Sequence, residues 1–330
     1  VKPAEPPRTA PEAPAYIPAP VTGDGPARVI AEIGCNHRGE LATAKEMIRI
    51  AASFCGVDAV KFQKRTPREL LTPAQYGAPH PNPAHAYGPT YGLHREFLEF
   101  DVAVHAELFA QCRELGVTYS SSVWDLTSAR DIASLQPEFI KVPSACNGHG
   151  ELIDWLCGHY AGQLHVSLGM TTRAEEEALV ERIARHGRLA DLVLYACTSG
   201  YPVPLEDLCL LEIARLRETY GGVIAAVGFS GHHLGIAPDI AAATLGARYI
   251  ERHFTLDRTW KGTDHAASLE PDGLRRLTRD VRNVQLALRY RSSELLAIEL
   301  PQRDKLKWRG PAATAGEPAA NGGAHRDAAA

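Results

Sequence analysis

The chain has 330 residues, 45% of them apolar, with 35 lysines and arginines against 39 aspartates and glutamates for a formal net charge of −4. That length can bury one large core, and the mild acidity gives no electrostatic reason to expect a nucleic-acid backbone as partner. No apolar run approaches the ~20 residues of a membrane span and the proline-rich start lacks the apolar core of a signal peptide, so a cytoplasmic enzyme is the default expectation.

Residues 1–27, VKPAEPPRTAPEAPAYIPAPVTGDGPA, are too rich in proline for helix or ladder and read as an extended arm. Over residues 28–290 short β-rich runs alternate with amphipathic stretches at helical spacing. The runs are RVIAEIG, DAVKFQ, VTYSSS, EFIKVPS, LHVSLGM, LVLYACTS, IAAVGFS and ARYIERHFT. The helices between and after them read as LATAKEMIRIAASF, AVHAELFAQCRELG, LTSARDIASLQ, GELIDWLCGHY, TRAEEEALVERIARHG, LEDLCLLEIARLRETY, a small-residue helix from about Ile236 to Leu245, and PDGLRRLTRDVRNVQLALRY. Eight such pairs predict a TIM (β/α)8 barrel. A doubly wound open sheet is the alternative, and it lacks a nucleotide-binding glycine loop here. Residues 291–330 read as a C-terminal extension, low in complexity and disordered from about Arg309 onward.

Seven cysteines, Cys35, Cys55, Cys112, Cys146, Cys157, Cys197 and Cys209, show neither a CxxC pair nor a secreted framework and read as reduced thiols. Cys35, Cys146 and Cys197 fall near strand ends, where a thiol can face a pocket.

A TIM barrel builds its site at the carboxyl ends of its strands. Glu32, Asn36 and His37 stand there on the first strand, Lys61 and Gln63 on the second, Ser120, Ser121 and Ser122 on the third, Lys141 and Ser144 on the fourth and Ser167 on the fifth. Thr198, Ser199 and Tyr201 follow on the sixth, Ser230 and His232 on the seventh, and Glu251, Arg252 and His253 on the eighth. A buried ammonium costs several kcal/mol unless compensated. Lys61 and Lys141 therefore either pair with Glu32 or Glu251, or await an anion. Together with the serine hydroxyls they suit a phosphate or carboxylate, although each serine alone reads equally as a strand-end cap. If the seventh and eighth strands are parallel neighbours, His232 and His253 meet. Two imidazoles at a barrel mouth suit a divalent metal, or each simply bonds a backbone carbonyl.

The segments AEIGCNHRG, VKFQKR, IKVPSACN, SLGM, ACTSGYP, GFSGHH and ERHFTLDR, in that order, resemble the sialic acid synthase family of phosphoenolpyruvate-dependent condensing enzymes. The resemblance spans about residues 28–290. It implies a barrel that joins phosphoenolpyruvate to the aldehyde of an open-chain sugar, usually an N-acylated amino sugar, giving a nonulosonic acid and phosphate. It implies metal ligands at His232 and His253, with Mn2+ the usual ion and Mg2+ or Co2+ as alternatives. Phosphoenolpyruvate contacts carry over to Lys61, Ser122, Lys141, Ser144, Ser167 and Ser230, and the catalytic carboxylate to Glu32. Ser199 and Tyr201 stand where the family contacts its ligands, and Asp264 matches an aspartate near the acceptor. Glu32, Lys61, Lys141 and His232 form the expected catalytic set, with Asn36 and Gln63 as further substrate-binding candidates.

The chain departs from the family in three places, the slightest being the SLGM and GTD segments, which differ a little from the usual small-residue versions. Gly231 stands where the family commonly has an aspartate, and His233 follows the first metal histidine, so a supporting partner of the metal site is missing or replaced. The family's small C-terminal antifreeze-like domain is not expected after RDKLKWRG, which leaves the acceptor and a possible homodimer open. The segment Lys64 to Phe100 exceeds the ~2 to 6 residues of an ordinary βα connection and is expected over the site, as a sugar-contacting cover or a packing loop. No arginine cluster for a sugar phosphate is legible, which argues weakly against phosphorylated acceptors. A pyruvate-dependent barrel aldolase or lyase, and a catalytically silent sugar-acid-binding paralogue, are the rival readings.

Overall fold

Val29, Ala31 and Ile33 are fully buried on one face of the first strand, and Ile30 and Glu32 are buried on the other. A strand covered on both faces belongs in a parallel sheet with helices outside it. The computed structural model, which describes residues 26–308, closes that sheet into a barrel. Its strands are β1 (Arg28–Gly34), β2 (Ala59–Lys64), β3 (Thr118–Val123), β4 (Phe139–Val142), β5 (Gln163–Ser167), β6 (Leu192–Cys197), β7 (Ala226–Gly231) and β8 (Tyr249–His253). They pair in parallel in chain order, and β8 returns to β1. The eight-stranded TIM barrel expected from the sequence is therefore the observed fold.

Alternation along the strands sorts the side chains into two cores. Val60, Phe62, Ile140, Val142 and their equivalents pack outward beneath the helices. Ile30, Ala59, Phe139, Val193, Tyr195 and Tyr249 form a separate apolar plug inside the barrel. Two residues farther along, on the same inward face, come Glu32, Lys61, Lys141 and Glu251. The plug is thus a buried floor, and the charged layer lies directly above it.

Strand ends shift slightly from the sequence reading. Pro143, which has no N–H to give a ladder, stops β4 at Val142. The expected helix LEDLCLLEIARLRETY is interrupted. Leu205–Asp207 makes one tight turn, Cys209 adopts a left-handed backbone with φ 49°, and the helix proper runs Leu211–Tyr220. The segment after β2 is more ordered than a plain loop. Pro67 and Pro73 open short helices Pro67–Leu70 and Pro73–Gly77, the latter with a Thr72/Gln75 capping box, and Tyr91–Leu98 is helical behind a Thr90 cap.

The chain divides into two units, Val1–Leu288 and Arg289–Ala330. In the second, Leu300–Leu306 is helical and Arg291 pairs with Glu299. The expected proline-rich arm up to Gly25 and the tail from Arg309 lie outside the described residues. Among the described residues no helix is long and apolar enough to cross a membrane.

Candidate active site

Register converts the inward polar layer into a site. Glu32 lies beside both Lys61 and His253, Ser122 beside both Gln63 and Lys141, and Ser230 beside both Cys197 and Glu251. Lys61 Nζ is 2.5 Å from Glu32 Oε2 and 3.5 Å from Glu251 Oε1, and it donates to Ser122 Oγ at 2.7 Å. Lys141 Nζ is 2.7 Å from Glu251 Oε1 and 4.3 Å from the centre of the Tyr195 ring. Both lysines thus make the ion pairs that the sequence left as one alternative. The formal charges of the quartet cancel.

Burial and the Lys61 charge lower the Lys141 pKa, with Glu251 only partly opposing them. Burial also works against the Glu251 carboxylate, yet Lys141, Lys61 and His253 hold its pKa down at about 2. Expected only as a lysine partner, Glu251 is therefore central to the site. Its inward position two residues beyond the floor residue Tyr249 was the available signal.

Gln63 donates to Glu32 Oε1 at 2.7 Å and accepts from the guanidinium of Arg65. Arg65, buried and ion-paired with Glu99 at 3.2 Å, links the charged layer to the segment after β2. Neither Arg65 nor Glu99 was singled out from the sequence.

Three strand ends converge at Gly169, whose N–H donates to Ser144 Oγ at 3.0 Å. A Cβ placed there would lie 2.4 Å from Ser199 Oγ and 2.8 Å from Ser144 Oγ, so both hydroxyls crowd a bare backbone. Ser167 Oγ is buried without a hydrogen-bond partner among the described residues. A hydroxyl in that state suits an incoming acceptor oxygen.

The imidazoles of His232 and His253 do meet, with ring centres 5.6 Å apart. Nδ1 of His232 lies 3.0 Å from the Thr198 carbonyl, a bond in which the nitrogen donates and leaves Nε2 as a free lone pair. Burial and the neighbouring His253 hold the His232 pKa down at about 3, so the ring is neutral and able to ligate. Nδ1 of His253 is buried without a partner among the described residues. These donors fit a divalent ion. No group of three or more His, Cys, Asp or Glu side chains able to hold a metal is found among the described residues, so water or substrate would complete the coordination. Tyr201, half-exposed at the mouth, stands 4.5 Å from the His232 ring.

Asn36 has another task. Its amide donates to the Phe254 carbonyl at 2.8 Å and to Ser268 Oγ at 3.0 Å, clipping the loop after β1 to the chain after β8. Asp264 borders a small cleft that is also lined by Tyr87, Arg95 and Lys261. Burial tends to raise its pKa, but His253, Thr263, Arg65 and Arg95 bring it below the ordinary carboxylate value. Arg95 bonds the Tyr91 hydroxyl and Lys261 lies over the Tyr87 ring, and neither makes an ion pair among the described residues. Across the mouth, the Tyr87 hydroxyl donates to the Lys261 carbonyl at 2.5 Å and Gly262 N–H donates to His85 at 3.1 Å. The long segment after β2 is thus tied to the loop after β8.

Residues 47–293 match the NeuB family. The chain is 35% identical over 286 residues to human N-acetylneuraminate-9-phosphate synthase, covering 87% of this chain and 78% of that protein. It is 32% identical over 265 residues to the N,N'-diacetyllegionaminic acid synthase of Campylobacter jejuni, covering 79% and 77%. Among solved structures, the N-acetylneuraminic acid synthetase of Leptospira borgpetersenii in complex with citrate superposes with a TM-score of 0.71 at 25% identity, over 86% of this chain and 93% of that one. The chain belongs to the NeuB family and is a transferase of the sialic acid synthase kind.

Proposed function

We propose that this protein condenses phosphoenolpyruvate with the aldehyde of an open-chain N-acylamino sugar to give a nonulosonic acid and inorganic phosphate. The observation that carries the reading is the buried quartet Glu32, Lys61, Lys141 and Glu251 above an apolar floor, ringed by serine hydroxyls. Lys61 and Lys141 offer cationic donors to the phosphate and carboxylate, with Ser122, Ser144, Ser167, Ser199 and Ser230 as hydroxyl partners.

The methylene carbon of phosphoenolpyruvate attacks the aldehyde carbon, the new C–C bond forms, and the aldehyde oxygen takes a proton. Water then adds to the cationic enol carbon, and the tetrahedral adduct expels phosphate to leave a 2-keto acid. Glu32, held by Gln63 and Lys61, is the carboxylate placed to stabilise that carbon and to take the proton of the entering water. Lys61 and Lys141 balance the charge of the departing phosphate. His232 and His253 would hold a divalent ion, Mn2+ by preference over Mg2+ or Co2+, which when bound supplies Lewis-acid polarisation of the acceptor aldehyde. Phosphoenolpyruvate is an intracellular metabolite, so the proposed reaction would run in the cytoplasm.

The cleft beside Asp264 favours a second reading of the acceptor. Arg95 and Lys261 face it without ion pairs among the described residues, a pattern that suits an acceptor with an anionic far end and runs against the expectation from sequence. The human relative is named for a 9-phosphate product.

The test is phosphate release from phosphoenolpyruvate with Mn2+ over a panel of aldoses, N-acylhexosamines and their 6-phosphates, with a chelator control. Aldehyde-dependent release abolished by chelator is the expected result. Turnover of pyruvate without phosphate release would instead support the aldolase or lyase, and failure to bind phosphoenolpyruvate or Mn2+ would support the silent paralogue.

A further inference from the structure

Behind the ends of β7 and β8, on the side facing away from the barrel interior, lie three buried side chains that no step above uses: His233, Asp239 and Arg252. Arg252 sits between Glu251 and His253 and opposite Gly231 of β7. One residue out of step with its inward-facing neighbours, it projects toward the crossover helix Ala237–Thr244. Its guanidinium pairs there with Asp239 in the first helical turn. It also donates to the carbonyls of His233 at 2.5 Å and Gly235 at 2.8 Å, and its Nη1 lies 3.1 Å from His233 Nε2.

Arg252 is therefore the covalent neighbour of one candidate metal ligand and grips the turn that begins at the other. Gly231 makes room for the arrangement, since a Cβ there would lie 2.8 Å from the His233 ring. The position that departs from the family's aspartate is thus the one that admits His233. A buried ion pair often adds little stability over apolar side chains of the same volume. This cluster also leaves His233 Nδ1, Asp239 Oδ1 and Arg252 Nε without hydrogen-bond partners among the described residues. Stability gives little reason to keep it, whereas geometry does.

The geometry points to Arg252 as a positioning residue that, through the His233 and Gly235 carbonyls and Asp239, sets the spacing and aim of the His232 and His253 imidazoles for a divalent ion. The inference rests on the reading of that histidine pair as the metal site.

Two variants separate positioning from folding. Arg252→Lys keeps the charge and loses the planar fork that reaches two carbonyls. The double variant D239L/R252M replaces the pair by apolar groups of similar volume, an exchange that buried pairs often tolerate. Mn2+ binding to the purified full chain would be followed by electron paramagnetic resonance of the free ion, and phosphoenolpyruvate binding to the metal-free chain by equilibrium dialysis, with His232→Ala as reference. Mn2+ affinity falls by about tenfold or more in both variants, while phosphoenolpyruvate affinity stays within about twofold. Wild-type Mn2+ affinity in either folded variant overturns the role, and so does a parallel loss of both affinities, which marks general loosening. If His232→Ala binds Mn2+ as well as the wild type, the metal reading fails and takes the positioning role with it. If His232→Ala loses the ion while both variants keep it, only the positioning role fails.

Discussion

The ammonium of Lys61 stands between two carboxylates, 2.5 Å from Glu32 and 3.5 Å from Glu251, in a layer closed off from solvent below by an apolar plug. A group so enclosed supports the fold and is proposed to serve the chemistry, and substitutions can separate the two.

Lys61→Met leaves Glu32 and Glu251 with Lys141 as the remaining cation of the quartet, and breaking a buried pair from one side costs about 3–5 kcal/mol. Glu32→Gln keeps the shape but can accept from only one of its two donors, Gln63 or Lys61, while Glu251 still faces both lysines. We expect a large drop in urea midpoint for Lys61→Met. For Glu32→Gln we expect a smaller drop together with a loss of about 10²- to 10⁴-fold in kcat. Paired urea melts and phosphate-release assays check both, and near wild-type turnover by Glu32→Gln would remove the carboxylate from the mechanism.

Gly169→Ala places a methyl group in the space that the Ser144 and Ser199 hydroxyls now occupy. The hydroxyls must move, and overpacking of this kind costs about 1–3 kcal/mol. The expected signature is a KM for phosphoenolpyruvate raised about tenfold with a cooperative melt retained. An unchanged KM would place the two serines outside the phosphoenolpyruvate site.

Arg95→Ala and Lys261→Ala test the anionic end of the acceptor. Each is expected to raise KM for an N-acylhexosamine 6-phosphate by about tenfold, the loss of one charge-assisted contact. KM for the unphosphorylated sugar and for phosphoenolpyruvate should stay unchanged. Equal effects on both sugars would refute a phosphate contact.

Acid sensitivity follows from core histidines as well as from the site. Burial, aided by neighbouring positive charge, holds the pKa of His37 and of His105 down at about 3, against about 6.5 in an unfolded chain. Below pH 6.5 the unfolded chain takes up protons that the folded chain refuses. Their stabilising contribution is complete above that pH and is lost as pH falls toward 3, by up to about 1.36 kcal/mol per pH unit for each ring. Urea titrations between pH 6.5 and 4 should show a shallower slope for His105→Phe than for the wild type, whatever its absolute stability.

How much of this was legible before folding depends on the range of the interactions. The alternation of strand runs with amphipathic helices is local, and it was enough to predict the barrel, because each βα unit buries its faces in only one handed way. Position at a strand's carboxyl end is local too, which is why Glu32, Lys61, Lys141, Ser122, Ser167, Ser230, His232 and His253 could be named as candidates. The Thr72/Gln75 capping box and Pro67 were also readable, yet the segment after β2 was read only as a long loop.

The tertiary structure alone decided which groups share the site. Lys141 meets Glu251 across 110 positions of sequence, and β1 touches β8 only because the barrel closes. Closure also spends the Asn36 amide on Phe254 and Ser268 and brings Arg65 into hydrogen-bond contact with Gln63. It sets Arg252 behind both histidines. Side-chain type and parity were written in the sequence. Partners in space were not, because charge pairing and hydrogen bonding act over a few ångströms and only the completed barrel determines which residues lie that close.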